Sequence, residues 1–265
     1  MTARRAARHA LGRVNFVGWG FVLALVLVAE LAIRRFGLED SVARPSETLA
    51  ALTDGLSSGE LSREIGTTLG RFAEGLALAI LGGVTLGILI GSSRTLDDAS
   101  SVLIEFLRPI PAIVLIPVAW LILGLGTSMI RFVIVYAAIW PILVNTIYGV
   151  RGTDRMLHDV ARTSGVGGAG RLVRVSLPAA LPSIATGIRV SAPIALFVGV
   201  TAEFLTVGAG GLGSYMRLQQ DAFELPEMYA AIALTALLGY AINVVLRATE
   251  QRAVFWVGEE RMASR

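Results

Sequence analysis

Apolar residues in this 265-residue chain fall into long charge-free runs separated by shorter polar segments. Val14–Ala29 carries no charge and continues past Glu30 to Ile33. Gly75–Gly91, Pro109–Ile130, Phe132–Val150 and Met228–Leu246 are also uncharged, and between Arg174 and Glu203 the one charge is Arg189. A helix that crosses a bilayer needs about 20 mostly apolar residues. None of the runs alternates apolar with polar positions as a membrane barrel strand does. The pattern predicts an all-α integral membrane protein, a bundle of six helices at 14–33, 72–91, 104–124, 129–148, 184–205 and 228–247.

The polar segments divide the rest. Residues 1–13 form an N-terminal tail, 34–71 a connector, 72–247 a five-helix core containing the loop 149–182, and 248–265 a C-terminal tail. The Arg-rich start could precede a signal peptide. Its apolar run, however, exceeds the usual 7–15 residues, and no small-x-small cleavage site precedes Arg34-Arg35. It is read as a retained first span. With the N-terminus inside, the inner segments hold fourteen arginines and the outer ones six, which predicts that both termini are cytoplasmic. Residues 46–71 read as two short polar-faced helices on the outer surface, with Ser46-Glu47 as cap and Ser57-Ser58-Gly59 as break.

Composition narrows the chemistry. Charged residues make up 16% of the chain, too few to cover a soluble globule of this size. The 23 basic residues are all arginine, so there is no phosphate-loop lysine and no Schiff-base or general-base lysine. No cysteine is present, and the two histidines, His9 and His158, cannot build a metal cluster. Both lie outside the spans, so a serine–histidine pair cannot form inside the bundle. The chain therefore reads as no enzyme, binding no metal or cofactor directly. An ion-gradient transporter would need acids at mid-membrane, whereas Glu30, Glu105 and Glu203 lie near span ends. That class and a membrane scaffold subunit stand as the alternatives.

The loop between the fourth and fifth runs is patterned. Met156, Leu157, Val160 and Ala161 recur at helical spacing, with Arg155, Asp159 and Arg162 beside or opposite them. Gly165 is placed to end that helix, and Gly167, Gly168 and Gly170 to allow a sharp turn. A second short helix, Arg171–Leu177, then leads to Pro178 and Pro182. Helix, glycine corner and helix make a projecting elbow suited to a groove on another protein.

The spacing Asp159-Val160-Ala161, three residues, Gly165, nine residues, Val175-x-Leu177-Pro178 resembles the EAA loop of permease subunits of binding-protein-dependent ABC importers. Asp stands for Glu, and Val for the first Ala and for Ile, each keeping charge or apolar character. Arg108-Pro-Ile-Pro111, Ile116-Pro117, Gly124-Leu-Gly126, Ala202-Glu203-Phe204-Leu205 and Gly211-Leu-Gly213 resemble the nitrate/sulfonate/taurine branch. The resemblance implies a type I importer permease in the bacterial cell membrane, paired as a homodimer. It also implies two separate ATPase subunits, where ATP and magnesium bind, and an external substrate-binding protein. Beyond these and the lipid bilayer no partner is implied, nucleic acid included. It assigns Asp159, Val160, Ala161, Arg162, Gly165, Val175, Leu177 and Pro178 to coupling with the ATPase.

Pro109, Pro111 and Pro117 each remove a backbone donor within one predicted span. Irregular backbone at membrane depth is tolerated where it lines a cavity, so the third span is expected to kink and line the pathway. Arg108 and Glu203, ionisable groups at span ends, are the further candidates there. Arg189 is expected to make a structural pair near the elbow, and His158 to be a surface residue.

Overall fold

The computed structural model describes residues 16–38, 41–206 and 208–253. Every regular element among them is helical. In chain order these are α1 (Phe16–Phe36), α2 (Pro45–Ser57), α3 (Glu60–Ser92), α4 (Arg94–Leu107), a 3-10 turn (Ala112–Leu115), α5 (Ile116–Leu123), α6 (Thr127–Arg151), α7 (Arg155–Thr163), α8 (Gly168–Arg171), α9 (Leu177–Leu205), α10 (Leu212–Asp221) and α11 (Leu225–Ala253). A π-turn over Leu172–Ser176 joins α8 to α9 without a break, giving a continuous 38-residue helix. Helices α3, α6, α8–α9 and α11 are long and apolar enough to cross a membrane, and α4 with α5 qualifies as a bent pair. Helix α1, 21 residues and uncharged as far as Glu30, has the length to cross as well. Large apolar side chains such as Phe21, Leu81, Phe106, Leu121 and Tyr240 stay exposed around the bundle, as a lipid-facing surface requires.

Helices α3 and α6 form the centre of the bundle through small residues. Gly75, Gly83, Gly87 and Gly91 line one edge of α3 and face Ile134, Ile142, Thr146 and Val150 of α6. Each pair is separated by the same 59 residues, so the two helices run parallel and in register. A Cβ at Gly87 would sit 2.5 Å from Thr146 Cβ, so the close approach depends on the missing side chain. Helix α9 packs antiparallel on α6, with Gly187 against Asn145 and Ser191 Oγ donating to the Ala138 carbonyl at 2.7 Å.

Two parallel neighbours require a return crossing between them. Arg151, at the end of α6, pairs with Asp97 in the first turn of α4, while Thr127, at the start of α6, accepts a hydrogen bond from Arg71 of α3. Residues 93–126 therefore travel the length of the bundle. The expected kinked span over 104–124 is instead a broken one: it starts at Arg94, ends at Leu123 and bends by 85° around Pro109 and Pro111. Proline at both positions leaves the backbone without donors there, and the Tyr136 hydroxyl steadies the break by donating to the Leu107 carbonyl at 2.6 Å.

Three other expectations change. Residues 46–71 are not two short helices, because α3 begins at Glu60 and runs unbroken through the membrane stretch. Leu61, Thr68, Arg71 and Phe72 are buried along it, and that packing outweighs the polar character of its first turns. Ser46 is not the cap of α2. Arg44 holds that position, with Glu47 accepting from its backbone N–H, while Ser46 donates to Glu30 of α1. Helix 171–177 is likewise no separate element, since it belongs to the helix that begins at Gly168. The 1–13 tail, residues 14–15 of the first predicted span and most of the C-terminal tail lie outside the described residues.

Candidate functional site

Helix α7 starts on Asp154, whose carboxylate accepts from the Met156 N–H at 2.9 Å. It ends in a Schellman corner: Val166 N–H bonds the Ala161 carbonyl at 2.9 Å and Gly165 N–H bonds the Arg162 carbonyl at 3.1 Å. Gly165 sits at φ +78°, a conformation that glycine adopts without steric cost. Ala161 is the buried residue of α7, whereas Met156, Leu157 and Val160 are 70%, 50% and 58% exposed. An apolar face of this kind, held away from the bundle and covered by nothing in the described chain, is built to meet something else. Asp159 and Arg162 lie beside it, exposed, with a 3.9 Å separation that contributes little in water.

The base of the elbow is packed. Leu172 and Leu177 lie against Val150, Ala180 and Ile184, which ties the corner to the ends of α6 and α9. Val175 is half-buried in the π-turn, and the exposed Pro178 follows at once in the first turn of α9. A proline ring clashes with the carbonyl four residues before it in an α-helix, and widening the preceding turn relieves that contact. The eight residues assigned to coupling thus fall on one rigid corner, from Asp159 on α7 to Pro178 at the start of α9.

At the opposite end of α9, Glu203 is fully buried. Its carboxylate accepts from Arg71 Nη1 at 3.0 Å, Thr68 Oγ1 at 2.8 Å and the Gly213 N–H at 3.2 Å. Arg71 also donates to the carbonyls of Gly210 and Ala209, at 2.8 and 2.5 Å. Gly211 N–H, at the head of α10, donates to Glu64 Oε2 at 2.5 Å, and its φ of +92° requires glycine. The clasp joins α3, the start of α6, α9 and residues 209–211 around one ion pair, with the positive end of α10 aimed at the carboxylate. Glu203, a pathway candidate by its place in the sequence, instead lies inside this clasp, where its acceptor positions are occupied by Arg71, Thr68 and Gly213. Sequence reasoning missed Arg71, which reads as one more basic residue of a polar connector. The available signal was an acid and a base lying near the same-side ends of two apolar runs, although Glu74 stands between Arg71 and its run.

The other candidates are scattered. Arg108 closes α4 and is exposed, as are Pro109, Pro111 and Pro117 at the break. They share the broken segment but do not converge with Glu203. Arg131 pairs with Glu74 at 2.7 Å, and Arg189 pairs with Glu250 of α11 at 3.0 Å. A cleft of 340 Å³ lies beside the clasp between Glu60, Arg63 and Tyr215. Burial, with Glu60 and Glu227 nearby, raises the Tyr215 phenol above its ordinary value. No grouping of three or more metal-ligating side chains occurs among the described residues.

The fold is thus a helical membrane bundle with a projecting amphipathic elbow between α6 and the 38-residue helix that starts at Gly168. The chain belongs to the family of binding-protein-dependent transport system inner membrane components, whose profile matches residues 83–254. It is 35% identical over 203 residues to a bicarbonate transport system permease of Synechococcus elongatus, covering 77% of this chain and 70% of the relative. A nitrate import permease of Leptolyngbya laminosa is 32% identical over 196 residues, covering 72% and 68%. A Bacillus subtilis permease assigned to aliphatic sulfonate transport is 30% identical over 261 residues, covering 96% and 94%. Among solved structures, a chain of the inward-facing MetNI methionine ABC transporter superposes with a TM-score of 0.65 at 20% identity, over 73% of this chain and 95% of that one. The fold is that of a type I importer permease, and the chain is the membrane component of an ABC importer.

Proposed function

We propose that this permease carries a small inorganic or organic anion and draws its driving force from two ATPase subunits docked on the elbows of a homodimer. The observation that carries the coupling is the uncovered apolar face of α7, fixed by the Schellman corner to a helix of 38 residues. At about 1.5 Å per residue that helix is roughly 57 Å long, enough to reach from the elbow to the clasp at Glu203. Movement of an elbow therefore tilts a strut whose far end is bonded to α3 and α10, and alternating access follows as rigid-body motion. The anion is supported by the relatives, whose names specify bicarbonate, nitrate and aliphatic sulfonates. An external binding protein delivers it, and the elbow lies on the cytoplasmic side with both termini, the orientation favoured by arginine placement.

The test is uptake in vesicles containing the permease with a partner ATPase and a binding protein. Vanadate-sensitive accumulation of nitrate, bicarbonate or a sulfonate is expected. Uptake that follows a proton or sodium gradient without an ATPase would refute the proposal.

A further inference from the structure

The elbow end of the bundle contains a cleft of 760 Å³. It lies between Gly91 and Ser92 at the end of α3, Val150 and Arg151 at the end of α6, and Gly168 and Ala169 at the start of α8. Four arginines line it, Arg94, Arg151, Arg155 and Arg171, together with His158. Asp97 pairs with Arg151. Arg94, Arg155 and Arg171 have no acidic partner among the described residues, and Asp154, at the start of the elbow, caps α7 instead. The first free N–H groups of the 38-residue helix open onto the same space, since its opening turn has no side-chain cap and its first backbone bond is Arg171 N–H to the Gly167 carbonyl. Arg171 reaches back over that turn, its Nη2 being 4.0 Å from where a Cβ on Gly168 would lie.

Three unpaired guanidinium groups and a helix N-terminus facing one cavity make a phosphate-anion site. Depth identifies the source of the phosphate. The cleft is walled by the last residues of two membrane-length helices, where headgroups of a bilayer would lie, and Leu89, Tyr148 and Val173, each within two residues of its lining, are exposed apolar side chains. We propose that this cleft binds the headgroup phosphate of an anionic phospholipid and holds it against the base of the elbow. Basic pockets between transmembrane helices recognise such headgroups through the same chemistry.

The experiment uses the full chain in phosphatidylcholine nanodiscs doped with phosphatidylglycerol, followed by detergent extraction and counting of retained lipid by native mass spectrometry. Phosphatidylglycerol is expected to be retained in preference to phosphatidylcholine. The double variant R94Q/R171Q removes two of the three unpaired cations and should weaken retention by about tenfold or more. Both side chains lack acidic partners in the fold, so its thermal midpoint should match the parent. Arg63→Gln, at the other end of the bundle, should retain lipid as the parent does. Equal retention of the two lipids, unchanged retention in R94Q/R171Q, or an equal loss in Arg63→Gln would overturn the site. Displacement of the lipid by millimolar inorganic phosphate would overturn the lipid assignment and identify a soluble phosphate ligand.

Discussion

Alanine substitution at two glycines of α3 should have opposite effects, and the contrast tests the packing that organises the bundle. Gly66 lies on an exposed part of the helix with nothing within 4 Å of the place a methyl would occupy, whereas a Cβ at Gly87 would meet Thr146 Cβ at 2.5 Å, its Cγ2 at 2.7 Å and the Leu143 carbonyl at 3.0 Å. Carbon atoms rest at about 3.5–4.0 Å, so α3 and α6 must separate by roughly 1 Å to admit the methyl. The Leu143 carbonyl is backbone and cannot rotate away. A gap of that size forfeits about a quarter to a half of the dispersion energy along the contact, and overpacking of this kind typically costs about 1–3 kcal/mol. Gly66→Ala escapes that cost and gains about 1 kcal/mol of helix propensity. Gly87→Ala gains the same propensity, so the two variants should differ by the overpacking cost, about 1–3 kcal/mol, with Gly66→Ala above the parent and Gly87→Ala at or below it. Unfolding midpoints of the full chain in one detergent measure the difference. A Gly87→Ala protein as stable as Gly66→Ala would refute the in-register parallel packing, and with it the return crossing assigned to α4 and α5.

Arg71→Met leaves the Glu203 carboxylate buried without its cation and should cost about 3–5 kcal/mol, while R71M/E203M should recover at least half of that loss; equal stability of the two variants would contradict the clasp. Gly165→Val places a β-branched residue at φ +78°, in open space, so the protein should still insert while uptake uncouples from ATP hydrolysis. Normal uptake by that variant would count against the elbow as the transmitter. Val160→Asp puts a charge on the exposed face of α7 and should abolish co-purification of the ATPase, with the thermal midpoint unchanged because the side chain touches nothing in the core. Retained co-purification would locate docking elsewhere.

Much of this molecule is legible along the chain, for a physical reason. The bilayer demands long uninterrupted apolar helices, so charge-free runs mark them directly, and α6, α9 and α11 lie where the runs place them. The elbow is equally local. A helix cap at Asp154, an apolar face at helical spacing and a left-handed glycine at Gly165 are all short-range requirements, and each is met in the structure. Local signals fail where long-range contacts compete with them. The first turns of α3 look like a surface connector because they hold Arg63, Glu64 and Arg71, yet two of those side chains bond loop residues 139 and 147 positions later.

Charge, hydropathy and spacing fix which segments enter the membrane and where the elbow projects, because those properties act within a few helical turns. They do not fix which helices are neighbours. That follows from pairings such as Gly87 with Thr146 and Arg71 with Glu203, in which the shape of one helix is completed by another far along the chain. A missing Cβ has meaning only opposite the side chain that fills its place, and a buried arginine is stable only where a carboxylate meets it.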